Sequence, residues 1–265
     1  MRTVLAALLL WLAAVPAPAL DLDRFAAHTP GSTVDVDHGA FAAFLDRYRV
    51  VGADGVARVR YGAVGAGDAA RLDAYLAALA AVAPATLDRD EQLAFWLNLH
   101  NAAVLDVVLA HYPVASIRDI DLDPRAAVHG PWTAAELEVA GAALSLADVE
   151  ALVLRHWRDP RLHYALHRGS LGCPDLPAEP FAGDGIDARL DAAAMAFVDH
   201  PRGVVVDEGR LVVSRLYRWF MDDFGGDERG VLRHLMAFAA PARAMTLQRF
   251  DGIDAYRYDW RLNDR

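Results

Sequence analysis

Apolar positions recur at helical spacing through most of this chain, with short alternating runs between the helical stretches. Phe41, Phe44, Leu45 and Tyr48 form one stripe that stops before Gly52 and Gly55, and Val56 to Tyr61 reads as a short strand. Asp68 stands where a cap would open an alanine-rich helix running to about Val82, with Leu72, Tyr75, Leu76 and Leu79 on one side and Pro84 beyond its end. From Asp88 or Asp90 to about His111 the apolar residues lie on every side, the pattern of a buried helix. Asn98, His100 and Asn101 interrupt its centre, and buried amides and imidazoles need hydrogen-bond partners. They either hold loop backbone together or orient a catalytic group.

Further on, Leu137 to Leu144 predicts a hairpin around Ala140-Gly141, and Ser145 caps a helix through about His156 that carries Asp148 and Glu150. Leu162, Tyr164 and Leu166 alternate with His163, Ala165 and His167, which predicts a strand with both imidazoles on one face. Ile186 to Val198 is an amphipathic helix. A hairpin follows, with Asp207-Glu208-Gly209-Arg210 between two valine-rich arms. Leu216 to Phe224 and Val231 to Ala239 read as helices broken by Gly225-Gly226, and Tyr256 to Trp260 as a last strand. The pattern is that of an α+β, helix-rich fold with a small antiparallel sheet carrying the His163 segment. No linker divides residues 20–265, so a single domain is expected there.

Residues 1–19 differ from the rest. Arg2, the apolar run Val4 to Val15 and the small residues Ala17-Pro18-Ala19 read as a cleavable secretory signal cut after Ala19. The mature chain is then expected to be periplasmic or secreted, with no stable membrane insertion. All 26 basic residues are arginine, which reads as coding bias. The formal net charge of −10 argues against a nucleic-acid partner.

Cys173 is the one cysteine, so in an oxidising compartment it has no internal disulfide partner. It sits in the bend Gly169-Ser170-Leu171-Gly172-Cys173-Pro174, close after His163 and His167. A thiolate nucleophile needs a base, an orienting group for that base, and donors for an oxyanion. His163 is the preferred base, with His167 the other candidate. Glu150, Asn98 or Asn101 would orient the ring, and the backbone from Gly169 through Ser170 to Gly172 would supply donors. No metal or cofactor is expected, since no paired ligand spacing accompanies Cys173.

Seven blocks in order carry a wider likeness: LAFWLNLHNAAVLDVVLAHYP, SIRDI, LSLADVEALVLR, DPRLHYAL, GSLGCPDL, VSRLYRWFMDDFG and YDWRLN. On them the chain resembles, over about residues 61–263, the family called domain of unknown function 547, as an exported bacterial member. The resemblance favours His163, which lies within one of its blocks, and names no substrate. Two positions depart from the family pattern. His100 stands where an aromatic is common, and Ala151 where a histidine commonly follows the glutamate. An inactive member and a substitute role for His100 both stay open. Two functions fit the residues: a cysteine-dependent hydrolase or acyltransferase acting on an amide, ester or thioester, or a non-catalytic cell-envelope binding module with a structural buried cysteine. An exposed Cys173 touching an imidazole would mark the first, and a sealed one the second.

Overall fold

The computed structural model describes residues 21–124 and 127–265, so the signal sequence expected at 1–19 lies outside the described residues. In chain order the helices are α1 (Gly39–Tyr48), α2 (Ala66–Ala80), α3 (Arg89–His111), α4 (Leu146–Trp157), α5 (Leu162–Ala165), α6 (Ile186–Asp199), α7 (Leu216–Trp219), α8 (Glu228–Phe238) and α9 (Pro241–Leu247). The strands are β1 (Arg49–Val51), β2 (Ala57–Val59), β3 (Leu137–Val139), β4 (Ala142–Leu144), β5 (Val204–Asp207), β6 (Arg210–Ser214) and β7 (Ala255–Arg257). The architecture is therefore helix-rich α+β, and among the described residues the strands form three small sheets. β1–β2 and β3–β4 are antiparallel hairpins, and β5–β6 is a third, extended by β7 running parallel to β6.

Helix α3 is the axis of the larger of two apolar clusters. It is long and apolar enough to cross a membrane by composition, yet Phe95, Trp96, Leu97, Val104 and Leu105 are fully enclosed by protein, so burial in a core accounts for its character. Asp88 caps it by accepting from the Asp90 N–H. Helices α2 and α4 pack directly on it, and α1 packs on α2 within the same cluster. The second cluster lies among α6, the β5–β6–β7 sheet, α7 and α8, with Phe197, Val213, Tyr217 and Leu235 at its centre.

The segment between the clusters departs from expectation. Leu162–Ala165 is a short helical turn and not a strand. Alternation of apolar and polar residues marks a strand only when one face meets solvent, and here every residue from Leu162 to His167 is buried. Leu162 and Ala165 belong to the larger cluster and Tyr164 to the smaller, so this turn stitches the two together. Asp68 also differs, because Gly65 occupies the cap position of α2. The Asp68 carboxylate instead accepts from Tyr48 at 2.5 Å and pairs with Arg47 and Arg71, tying α1 to α2. Beyond Trp219 the expected helix gives way to turns, and α9 had no distinct periodic signal in the sequence.

Candidate active site

Ser145 and Asp148 form a reciprocal cap at the start of α4, each side chain accepting from the other's backbone N–H at 3.1 and 2.9 Å. This directs Glu150 inward to Arg168, whose guanidinium donates to it at 2.8 Å. Burial is the largest single influence and raises the Glu150 carboxyl, but the charge and hydrogen bond of Arg168, with the charges of His100 and His163, together hold the group below the usual range. Arg168 begins the bend that carries Cys173.

The bend is clamped against the end of the chain. Leu171 N–H donates to the Arg261 carbonyl at 2.9 Å and Gly172 N–H to the Asp259 carbonyl at 2.8 Å, while Asn263 N–H donates to Gly169 at 3.2 Å. Gly172 is required by close approach: a Cβ there would lie 2.5 Å from the Asp259 nitrogen. Gly169 has φ +63° and faces Ile117. Ser170 Oγ lies 2.9 Å from the Tyr258 hydroxyl.

Inside this clamp Cys173 Sγ lies 3.1 Å from His167 Nδ1, and on the other side of the same ring Asn263 Nδ2 lies 2.9 Å from Nε2. The Tyr61 hydroxyl donates to Asn263 Oδ1 at 3.0 Å. In this arrangement the Asn263 amide donates to Nε2, so the proton is on Nδ1, where it faces the sulfur and the Pro174 carbonyl at 3.0 Å. Turning the amide over, with Tyr61 changing from donor to acceptor, would accommodate the doubly protonated ring.

Burial raises the Cys173 thiol, but the facing His167 charge and hydrogen bond, helped by backbone hydrogen bonds at Arg168 and Ser170, bring it down to about 6. For His167 burial acts downward, and the attraction of Cys173 reverses it, raising the imidazole above its ordinary value. Both shifts favour a thiolate–imidazolium pair. The hydrogen bonds as they stand, with Asn263 donating to Nε2 and the thiol donating to the Ser170 carbonyl at 2.9 Å, are those of the neutral pair. Cys173 is fully enclosed at 0% exposure. It touches an imidazole as a nucleophile would and is sealed as a structural cysteine would be.

The other expected residues fall elsewhere. His163, the preferred base, gives its Nε2 to Asp223 at 2.8 Å and packs against Phe220 and Phe224, because the helical turn points it away from the bend that His167 enters. The orienting amide is Asn263, whereas Asn98 exchanges two hydrogen bonds with the Phe181 backbone at 2.8 Å each. Asn101 accepts from His167 N–H at 2.8 Å and donates to the Ala165 carbonyl at 2.9 Å, setting the backbone under the ring. Glu150 is held by Arg168 and does not touch His167. Burial drives the fully enclosed His100 down to about 4; its Nδ1 meets Asn101 at 3.5 Å and its Nε2 has no hydrogen-bond partner among the described residues. The Leu171 and Gly172 N–H groups are already donating to the C-terminal segment, so they are not free for an oxyanion. No group of three or more His, Cys, Asp or Glu suited to a metal occurs among the described residues.

Asn263, Tyr61 and Tyr258 were not singled out by sequence reasoning. Asn263 ends the YDWRLN block, but nothing local reveals that it reaches a histidine 96 residues away.

Residues 84–198 match the family described as protein of unknown function, DUF547. The matched span contains Glu150, His163, His167 and Cys173, while Tyr61 and Asn263 lie outside it. No curated protein and no solved structure matches the chain.

Proposed function

We propose that this chain, which carries the DUF547 family match over residues 84–198, is a cysteine-dependent hydrolase or acyltransferase acting on an amide, ester or thioester. The observation that carries the reading is the Cys173–His167–Asn263 line, with contacts of 3.1 and 2.9 Å on opposite sides of one ring. A thiolate at Cys173 attacks the acyl carbon, and the His167 imidazolium delivers its proton to the departing amine, alkoxide or thiolate. Water or a second acceptor then takes the acyl group from sulfur, with His167 as base. Asn263 keeps the ring in plane through both steps, and Asn101 fixes the backbone from which the ring projects. The Ser170 and Tyr258 hydroxyls, paired beside the bend, are the side-chain donors available for a developing oxyanion.

The enclosure of Cys173 means that substrate reaches sulfur only when segment 258–261 shifts from Gly172. That same enclosure favours a second reading, a binding module with an inert cysteine. The readings separate in the rate of Cys173 alkylation by iodoacetamide from pH 5 to 9, on the mature protein, His167→Ala and His163→Ala. Native-state reaction with a midpoint near 6, abolished in His167→Ala and retained in His163→Ala, supports the cysteine enzyme. Reaction only after unfolding sinks it and leaves the binding module.

A further inference from the structure

Four residues, Tyr258 to Arg261, run between two fixed points of the chain. Before them β7 is paired with β6. After them Leu262 N–H donates to the Ala115 carbonyl at 2.8 Å and Asn263 N–H to the Gly169 carbonyl at 3.2 Å. Between these anchors the segment lies directly on the bend. Gly172 and Leu171 donate to its Asp259 and Arg261 carbonyls, and the Tyr258 hydroxyl lies 2.9 Å from Ser170 Oγ. The charged side chains of the segment, Asp259 and Arg261, pair with each other at 2.5 to 3.0 Å. A cleft of about 380 Å³ is lined by Leu171, Gly172, Tyr258 and Asp259 among others. Cys173 follows Gly172 in the chain but does not line that cleft.

Trp219, the last residue of α7, bears on the same segment. It is 41% exposed and belongs to neither apolar cluster, so core packing does not account for a side chain of this size. Its ring centre lies 4.8 Å from that of Tyr258 and 5.5 Å from that of Trp260. The Tyr258 and Trp260 rings are themselves 4.6 Å apart, and the Arg118 guanidinium lies over Trp260 at 5.2 Å. Tilted ring pairs of this kind contribute about as much as the backbone hydrogen bonds that hold the segment to the bend. Trp219 is therefore placed to decide how firmly the segment stays down.

We propose that residues 258–261 are a strap closing this cleft against Cys173, and that Trp219 is its latch. When the rings part, the strap lifts between its two anchors and the cleft extends past Gly172 to the thiol. The cleft is then the substrate entrance. The purpose of the device rests on the cysteine-enzyme reading, whereas the strap itself is measured by access alone.

The test is the rate of Cys173 alkylation by iodoacetamide in the parent, Trp219→Ala and Trp219→Phe, without denaturant and in urea below the unfolding transition. Trp219→Ala is expected to react about tenfold faster than the parent, and Trp219→Phe close to the parent because a ring is kept. Trp219 is exposed, so both variants are expected to fold. Lifting of the strap is a local opening whose rate changes little with urea, whereas reaction through global unfolding rises steeply. A Trp219→Ala rate equal to the parent's, or an acceleration as urea-dependent as global unfolding, overturns the proposal. The pH profile separates access from ionisation: the midpoint is expected to be the same in Trp219→Ala and the parent, and a midpoint that moves overturns the latch. A thiol that reacts faster in Trp219→Ala but titrates near the ordinary value of about 8.5 in both proteins keeps the latch and sinks the cysteine enzyme.

Discussion

At the scale of single residues, His167 determines the character of Cys173. Its imidazolium is the largest of the influences that lower the thiol, and burial opposes it. A thiol titrating near 6 is about 90% thiolate at pH 7, whereas one above its ordinary value is about 1% or less. His167→Ala is therefore expected to cut the native-state alkylation rate at pH 7 by about a hundredfold, measured by mass spectrometry of quenched samples. Asn263→Ala acts through the ring and not on sulfur directly. The variant should shift the alkylation midpoint upward while leaving the thiol reactive, because the Pro174 carbonyl still meets Nδ1. A midpoint identical to the parent's would remove Asn263 from the arrangement.

At the scale of elements, two local devices position the site, and each has its own test. The reciprocal cap Ser145–Asp148 starts the helix that presents Glu150 to Arg168. Ser145→Ala should cost about 1 kcal/mol in denaturant unfolding, the usual loss for such a cap. The second device is the ribbon between Gly169–Gly172 and residues 259–263, which holds the bend that carries the buried thiol. Gly172→Ala places a methyl group 2.5 Å from the Asp259 nitrogen and 3.2 Å from the Tyr258 ring. The segment must move away, so this variant should lose thermal stability and alkylate Cys173 faster than the parent. Slower alkylation would show that the segment does not control access. These devices differ in legibility. The cap follows from Ser145 and Asp148 three residues apart, but the ribbon joins segments about 90 residues apart in sequence and has no local signature.

For the whole molecule, the two histidines that burial lowers most, His100 and the half-buried His234, give stability a pH dependence with a definite sign. Burial lowers His100 and His234 from 6.5 to about 4 each. Below pH 6.5 the unfolded chain takes up protons that these folded-state groups refuse, so their contribution is intact above 6.5 and is lost as pH falls toward 4. Glu150, held below its ordinary value mainly by Arg168 against the effect of burial, adds to the loss on acidification. The melting temperature should fall from pH 6.5 to 4, and His100→Phe should flatten the slope by removing up to about 3 kcal/mol of this linkage. A variant slope equal to the parent's would show that His100 takes up no proton on unfolding.

What the sequence determined by itself was the set of elements and the neighbourhood of the chemistry. Apolar periodicity marked α1, α2 and α6, an apolar run on every side marked α3, and the Ser145 cap marked α4. Gly-containing turns marked the β3–β4 and β5–β6 hairpins but not β1–β2, where Gly52 and Gly55 read as the end of a helix, and the isolated Cys173 among His163, His167 and glycines marked the bend. Periodicity reports which face of an element is buried, so it works wherever one face meets solvent. It fails between Leu162 and His167, where every side chain is buried and alternation no longer distinguishes strand from helical turn. Only the tertiary structure decided which histidine meets the thiol, because that depends on the direction of a four-residue turn at the seam of two cores. Only the tertiary structure brought Asn263 and Tyr61 to that histidine, because hydrogen bonds between distant segments leave no pattern in either segment alone.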